Sequence, residues 1–427
     1  MRASLFSPYW LLSQTFGPLW ARRSLERRAL LGKEDALRLH ERKGISEQPR
    51  PDGFVAWLHG ASVGESLSLL PLMAALSKEY PRLQFLVTTG TRAAAEVIKN
   101  RLPKNAIHQF APLDVPSWIE RFLNHWQPDL ALWAESELWP NMVFETFERG
   151  IPLILINARM SDRSFKRWRL FKPWARALLS SFDLCLAQSE EAAQRLRTLG
   201  AEEVVPLGNL KLLAPPLAYD QVALSTFKTQ LNDRPRWLAA STHEGEEAVV
   251  AECHLHLRRL YPSLVTLIAP RHPLRVPALV EQLAAHNLRI QLRSLGEAIR
   301  KDTDIYIVDT LGEMGLFFSV SSCVFLGGSL VPIGGHNLIE PAQLHCAILH
   351  GPHMHKTRDL RDLFRHHNAA LEVADAAQLI ENLAQLLGDE ALRLTYAKRA
   401  GEVVAGHQHI LDRVLASLAP YLEKAKA

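Results

Sequence analysis

An apolar run that closes in small residues and then turns acidic, Phe54-Val-Ala-Trp-Leu-His-Gly-Ala-Ser-Val-Gly-Glu-Ser66, constrains this 427-residue chain more than any other stretch. The run suits a buried strand, the small residues a tight turn, and a helix follows, so the segment reads as strand, turn and helix of a parallel α/β sheet. Such sheets hold their ligands at the carboxyl ends of the strands. That places His59, Ser62 and Glu65 where chemistry is expected and makes Glu65 a candidate general base. The same letters admit a local reading. Ser62-Val-Gly-Glu65 before an apolar run is a capping box, in which serine and glutamate satisfy orphan helix N–H groups. Taken alone, the motif favours the cap, and the two roles compete for one carboxylate.

The strand and helix signals recur. Strands are expected at Phe54 to Leu58, Gln84 to Thr88, Asp129 to Ala134, Pro152 to Asn157 and Leu184 to Ala187, with helical stretches between them. Gly208-Asn-Leu-Lys-Leu-Leu-Ala-Pro-Pro216 interrupts the rhythm, and Arg236-Trp-Leu-Ala-Ala-Ser-Thr-His-Glu-Gly-Glu-Glu247 restarts it with the same strand, small turn and acidic helix start. Leu264 to Pro273 echoes the second strand, and Ile305 to Val308, Cys323 to Leu326 and Ala347 to Leu349 continue the series. Two doubly wound halves with a crevice between them are therefore expected. With 48% hydrophobic and 22% charged residues the chain can bury two cores. The expected divisions are a basic amino-terminal segment over 1–45, a first Rossmann-like domain over 46–207, a linker over 208–220 and a second such domain over 221–427 that ends in helices.

In the second half, Phe325-Leu-Gly-Gly-Ser-Leu-Val-Pro-Ile-Gly-Gly-His-Asn-Leu-Ile-Glu-Pro-Ala342 brackets a turn with two Gly-Gly pairs, which lets backbone approach a phosphate or sugar. Gly334, Gly335, Asn337 and Glu340 are its candidate ligand contacts, Glu340 suiting a hydroxyl; alternatively, glycines this dense simply make turns. Arg271, His272 and Lys211 can neutralise a phosphate, the arginine gripping two oxygens at once. Ser241 and Thr242 stand where a helix should begin, so capping and phosphate binding both suit them. Gly312 and Glu313, within Asp309-Thr-Leu-Gly-Glu-Met-Gly315, are placed on the donor side or at a helix start. In the first half, Glu135 and Glu137 follow a buried strand and alternate toward one side if the chain stays extended; alternatively they begin the next helix.

Ser4 to Trp20 is apolar, aromatic and uncharged, is interrupted by Pro8 and Pro18, and runs into Arg22, Arg23, Arg27 and Arg28. It is shorter than the roughly 20 residues a spanning helix needs. It is read as an interfacial anchor, with a helix packed on its own domain as the alternative. Ser161-Asp-Arg-Ser-Phe-Lys-Arg-Trp-Arg-Leu-Phe-Lys-Pro-Trp-Ala-Arg176 mixes cations with aromatics, which suits an anionic membrane surface or single-stranded nucleic acid. Paired with the apolar start it points to membrane, with Trp10, Trp20, Arg22, Arg23, Lys166, Arg167, Trp168 and Arg169 as the contacts and no nucleic-acid partner. Cys185, Cys253, Cys323 and Cys346 are unpaired in spacing and imply a reducing compartment. The histidines of His350-Gly-Pro-His-Met-His355 and His366-His367 lack the partners of a metal site, so no metal is expected.

His59-Gly-Ala-Ser-Val-Gly-Glu65, Glu135-Ser-Glu-Leu-Trp-Pro-Asn141, Asn157-Ala-Arg159, Gly208-Asn-Leu-Lys211, Arg271-His-Pro273, Gly312-Glu-Met-Gly315 and Gly334-Gly-His-Asn-Leu-Ile-Glu-Pro341, in this order over nearly the whole chain, resemble the 3-deoxy-D-manno-octulosonic acid (Kdo) transferases of lipopolysaccharide synthesis. Gly60 stands where that family often has alanine and Met314 where leucine is usual; neither change removes a functional group. The resemblance implies a GT-B glycosyltransferase at the cytoplasmic face of the bacterial inner membrane. Its first domain would take the lipid A precursor (lipid IVA) and its second CMP-Kdo, in an inverting, metal-independent reaction with no cofactor. It implies Glu65 as base, with Ser62, Glu135, Glu137 and Arg159 on the acceptor side. Lys211 and Arg271 would lie on the donor phosphate, and Glu340 on the ribose. Two rivals remain, a nucleotide-sugar epimerase of the same fold and a non-enzymatic membrane-associated nucleic-acid or scaffold protein.

Overall fold

A computed structural model of the protein describes residues 2–407 and 409–426. The chain forms two compact units, Met1–Ala214 joined by Gln408–Ala427, and Pro215–His407.

In the first unit β1 (Val55–Gly60), β2 (Gln84–Thr89), β3 (Ala106–Phe110), β4 (Leu130–Ala134), β5 (Leu153–Ala158), β6 (Leu184–Ala187) and β7 (Val204–Pro206) form one sheet in the order β3-β2-β1-β4-β5-β6-β7, with every neighbouring pair parallel. All six residues of β1 are buried, because helices cover both faces. Trp57 packs against Phe122 (ring centroids 5.0 Å) and Trp133 (5.2 Å) on one face. Ala56 and Leu58 join Leu69, Leu72 and Leu76 on the other. Strand order reverses between β1 and β4, so the turns after these two strands flank the switch point.

The second unit repeats the plan. Here β8 (Arg236–Thr242), β9 (Val265–Pro270), β10 (Ile290–Leu292), β11 (Ile305–Ile307), β12 (Cys323–Leu326), β13 (Ala347–His350) and β14 (Leu371–Glu372) are ordered β10-β11-β9-β8-β12-β13-β14, again all parallel. Its switch point lies between β8 and β12. The echo between the segments around residues 54 and 236 is therefore an architectural one: β1 and β8 hold the same place in two GT-B-type sheets. The short edge strands β3, β7, β10 and β14 carry too few apolar residues in sequence to declare themselves.

Two expected boundaries are corrected. The carboxy-terminal helices do not all belong to a domain over 221–427. His409–Leu418 and the turns of Ala419–Lys426 pack on the first unit, burying Ile410, Val414, Leu418 and Leu422 with Leu207 and Leu210. Gly208, at φ +113°, leaves room for this contact, since a Cβ there would stand 2.4 Å from Ile410 Cδ1. Nor is the segment 1–45 separate from the first domain. Its helices Arg2–Thr15 and Gly17–Leu30 break at Phe16, before Pro18, while Pro8 is accommodated within the first. They lie on the unit through Tyr9 Oη–H donating to Asp114 (2.8 Å), Asn141 Nδ2–H donating to Ser13 (2.9 Å), and Ala21 and Leu25 against Val115 and Trp118. Arg42 is buried and pairs with Glu34, and its guanidinium donates to the carbonyls of Thr89 (3.3 Å), Gly90 (2.7 Å) and Ala111 (3.1 Å), clamping the ends of β2 and β3.

The opposite side of the amino-terminal helices stays apolar and open, with Leu19 62% and Trp20 74% exposed beside Trp10, Leu11, Leu12 and Phe16. Leu170 and Phe171, where the helix Asp162–Leu170 meets Lys172–Leu179, are exposed as well, and the first helix touches the latter one. Among the described residues no helix is long and apolar enough to cross a membrane.

Replacing Ile410 with alanine should cost the first unit about 2–5 kcal/mol, the usual range for truncating a fully buried isoleucine. All the tryptophans except Trp237 lie in that unit, so tryptophan fluorescence during denaturant unfolding reads the change. An unaltered midpoint would contradict the carboxy-terminal docking.

Candidate functional site

At the switch point of the first unit, β1 delivers the chain into the helix Val63–Glu79. Ser62 caps it, its Oγ accepting from the Glu65 N–H (3.4 Å), and the Ser62 hydroxyl donates to Glu65 Oε1 (2.7 Å). Glu65 Oε2 accepts from the Ala61 N–H (2.8 Å). The cap is thus present, and it fixes both carboxylate oxygens while leaving each a further lone pair. Burial pushes the Glu65 carboxyl up and the nearby charges of Glu135 and Glu137 add to this, against the hydrogen bonds from Ser62 and Ala61. A carboxylate raised in this way is better matched to proton abstraction near neutral pH.

The turn after β4 supplies the other two acids, but not by extended alternation. Glu135 adopts φ +62°, which turns the chain, and the following helix begins only at Pro140. The two side chains therefore diverge. Glu135 forms ion pairs with Lys211 and with Arg159 (3.5 Å), whose backbone N–H donates to the Glu135 carbonyl (3.3 Å). Glu137 accepts from Trp139 Nε1–H (2.6 Å) and lies 3.9 Å from His59 Nε2. Those two partners hold its carboxyl below the usual range against the opposing effect of burial. His59 Nδ1 meets Thr88 Oγ1 at 2.9 Å, and that oxygen already accepts from Trp57 Nε1–H (2.8 Å). Assigning the Thr88 hydroxyl proton to Nδ1 leaves His59 Nε2–H facing Glu137. This link from the β1 core to the acidic cluster escaped the sequence reading, since only the fold brings His59 and Glu137 together.

Lys211 belongs to this unit. Asn157, at the end of β5, accepts from the Leu210 N–H through Oδ1 (3.1 Å), which sets the turn Leu210–Leu213 over the first turn of the Glu65 helix. A Cβ on Gly64 would stand 3.8 Å from Lys211 Nζ. Lys211, Arg159 and three carboxylates thus share one neighbourhood.

In the second unit Ser241 and Thr242 do not begin a helix. They end β8, Ser241 at φ +56°, Thr242 buried and hydrogen-bonded to Glu247 (3.1 Å), and the next helix, Glu246–Leu257, is preceded by Gly245. The organising group there is Glu246, which is fully buried. It accepts from the backbone N–H groups of His243 (2.9 Å), Gly328 (2.6 Å), Ser329 (3.0 Å) and Leu330 (3.0 Å), tying the turn after β8 to the loop after β12. Sequence reading registered Glu246 only as part of an acidic helix start.

The Gly334 and Gly335 N–H groups are not free for a ligand, because both donate to the Gly328 carbonyl (3.1 and 2.7 Å). Positive φ at both positions and the close approach of Met354 to Gly335 explain the glycines as loop closure instead. Asn337 Oδ1 accepts from the Ile339 N–H (3.1 Å) just before the short helix Ile339–Gln343, and Asn337 Nδ2–H donates to Glu340 (3.3 Å), whose carboxyl is raised by burial. Glu313 is occupied by Arg293 (3.0 and 2.6 Å) and Thr310, beside Gly312 at φ +85°. The exposed guanidinium of Arg271 makes no hydrogen bond among the described residues, and His272 is exposed next to it. Of the expected membrane contacts, Trp10, Trp20, Arg22, Arg23, Lys166, Arg167 and Arg169 are exposed, whereas Trp168 packs on the core.

Comparison with known proteins agrees with this layout. Residues 37–214 match the family described as 3-Deoxy-D-manno-octulosonic-acid transferase (kdotransferase). The chain is 35% identical over 390 residues to the 3-deoxy-D-manno-octulosonic acid transferase of Rickettsia bellii, covering 91% of this chain and 93% of the relative. Against the enzyme of the same name from Haemophilus influenzae it is 34% identical over 396 residues, covering 91% and 92%. A putative UDP-N-acetylglucosamine 2-epimerase from Listeria monocytogenes superposes with a TM-score of 0.59 over 87% of this chain and 97% of its own, at 15% identity, a likeness of fold alone. The ordered motifs, the two doubly wound sheets and identity over almost the full length of both relatives lead to one conclusion: this chain belongs to the 3-deoxy-D-manno-octulosonic acid transferase family, glycosyltransferases of lipopolysaccharide biosynthesis.

Proposed function

We propose that the chain transfers Kdo from CMP-Kdo to a glucosamine hydroxyl of the lipid A precursor (lipid IVA) with inversion, using Glu65 as general base. The carrying observation is the state of that carboxylate at the carboxyl end of β1, fixed by two donors and raised chiefly by its burial and further by two neighbouring acids. The acceptor hydroxyl would give its proton to Glu65 as its oxygen bonds to the anomeric carbon of Kdo. The bond from that carbon to the phosphate breaks, and CMP departs as a monophosphate. Positive groups must meet the charge that develops on the leaving group, and Arg271 with His272 suits that role. Glu340 and Asn337 suit the ribose hydroxyls. Gly312 and Glu313, and Ser241 and Thr242, serve in this reading as the walls of the nucleotide site, with Thr242 and Glu313 engaged internally. Lys211 spends one of its three N–H donors on Glu135 and keeps the others for a substrate anion. Arg159, Glu137 and Ser62 order the acceptor side. The leaving group carries a single phosphate, so the reading calls for neither a metal clamp nor a cofactor.

The apolar face of the amino-terminal helices, rimmed by Arg22, Arg23 and the cations of 166–169, would rest on an anionic membrane surface. Burial of the aromatic and leucine side chains and roughly 1 kcal/mol per nearby cation favour this docking. A nucleotide-activated donor and four free buried cysteines fit the cytoplasmic face of the bacterial inner membrane.

Transfer of Kdo from CMP-Kdo generated in situ onto tetraacylated lipid A precursor, followed by mass spectrometry, tests the reaction; no mass gain on the lipid would refute it. Glu65→Gln retains groups that can hold the cap and should lower kcat by roughly 10²-fold or more while the protein stays folded. Full turnover in the folded variant would leave Glu65 as a cap only. Removing the Glu137 charge with Glu137→Gln takes away a group that raises Glu65, so the acid limb of kcat/KM should move to lower pH; an unmoved limb would uncouple the two carboxyls. Leu19→Glu combined with Trp20→Glu should abolish flotation with phosphatidylglycerol vesicles yet spare turnover of detergent-dispersed acceptor. Undiminished flotation would exclude this face as the docking surface.

A further inference from the structure

Beyond the residues assigned so far, the second unit holds an arrangement with its own chemistry. His243, in the turn after β8, and His336, in the loop after β12, bring their Nε2 atoms to 3.0 Å with ring planes 9° apart, and the ring of His272 stands edge-on to His243 at 5.6 Å. At that separation one nitrogen must donate and the other accept, so the neutral couple holds one proton on the line between the rings. The surrounding backbone imposes the contact. Gly328 adopts φ +64°, and a Cβ there would stand 3.1 Å from both His243 Cδ2 and His336 Nε2. Glu246 fixes the His243 and Gly328 N–H groups with one carboxylate, and the Gly328 carbonyl takes the N–H groups of Gly334 and Gly335.

The charged groups facing the couple are mostly basic. Arg271 and Arg275, with the titratable ring of His272, come from the segment after β9, and Lys356, with the titratable ring of His355, from the segment after β13, where Lys356 and His355 stand close to Gly334. The carboxylates nearby are already engaged: Glu246 by four N–H groups, Glu247 by Arg275 and Thr242, Glu340 by Asn337. Burial, then the neighbouring His243 ring, then Arg271 and Lys356 lower His336 to about 4, and burial lowers His243 as well. Both shifts favour the neutral couple when no anion is bound, although both rings remain partly open to solvent. An anion among Arg271, His272 and Lys356 would offset the part of this depression that the nearby cations add to burial.

We infer that His243 and His336 form, with Arg271, His272 and Lys356, an anion subsite that takes up a proton from solvent as it binds an anionic group of the donor, phosphate or carboxylate. The added proton converts the couple to an imidazolium–imidazole pair, and the hydrogen bond between the rings persists while the charge is shared. This inference rests on the proposal that the second unit binds CMP-Kdo, and it assigns to that site two histidines and a proton inventory.

Calorimetric titration of CMP into the full-length protein at pH 7.5, in buffers of different ionisation enthalpy, reads the proton count. Fractional net proton uptake on CMP binding is expected. A phosphate gripped by cations alone would give slight release instead, because its second ionisation lies near pH 6. His336→Gln and, independently, His243→Gln keep a hydrogen-bonding side chain but cannot titrate; each should abolish the uptake while CMP still binds through Arg271. Free Kdo as a second ligand separates the sources: uptake with CMP assigns the phosphate, uptake with Kdo alone assigns the carboxylate. Binding of CMP without uptake with either ligand, or with uptake undiminished in both variants, overturns the inference and leaves the donor reading standing. Absence of any CMP binding by the wild-type protein overturns both.

Discussion

Two buried carboxylates at equivalent places in two sheets support everything else in this molecule. Each strand-to-helix turn at a switch point leaves backbone N–H groups without helical partners, and an acidic residue in the first turn of the helix collects them. In the first unit Glu65 takes the Ala61 N–H and the Ser62 hydroxyl; in the second Glu246 takes four N–H groups from two loops. The difference between them is instructive. Glu246 is fully buried and saturated, a purely architectural anion, whereas Glu65 has spare lone pairs, acidic neighbours and a raised pKa. One device has been kept rigid in one unit and left chemically available in the other.

Capping and catalysis are therefore not opposed at Glu65. A base must be held within hydrogen-bond reach of its proton, and the cap supplies that hold without consuming the whole carboxylate. The neighbours refine it. Glu135 turns away at positive φ to bind Lys211 and Arg159, which leaves its charge close enough to raise Glu65 yet neutralised locally. Glu137 faces His59 at 3.9 Å, and His59 is itself hydrogen-bonded through Thr88 to the Trp57 core, so the packing of β1 sets where the imidazole stands beside the acidic cluster.

Much of this was legible in the sequence, for physical reasons. Central strands of parallel sheets are buried on both faces and read as apolar runs, so β1, β2, β4, β5, β6, β9, β12 and β13 stood out, and the small-residue turns after β1 and β8 marked the switch points. What stayed hidden depended on conformation or on distant partners. Nothing in the letters around Ser241 announces its left-handed backbone, which keeps Thr242 in the strand and moves the helix start to Glu246. The glycines at 334 and 335 suggested a phosphate cradle, whereas their N–H groups close their own loop. His243 and His336 lie 93 residues apart and meet only because β8 and β12 are neighbours. The amino-terminal helices carried both of the meanings weighed for them, one face packed on the unit and the other apolar and open.

The return of His409–Leu418 to the first unit makes the second unit an insertion within the first. During synthesis Leu207 and Leu210 emerge from the ribosome well before Ile410, Val414 and Leu418 exist to cover them. At about 5–20 residues per second that interval lasts on the order of 10–40 s. The inserted unit can finish folding in that time, while the unit that was begun first must wait for the last helix made. Order of synthesis and order of completion are thereby reversed, and the candidate site around Glu65 matures last.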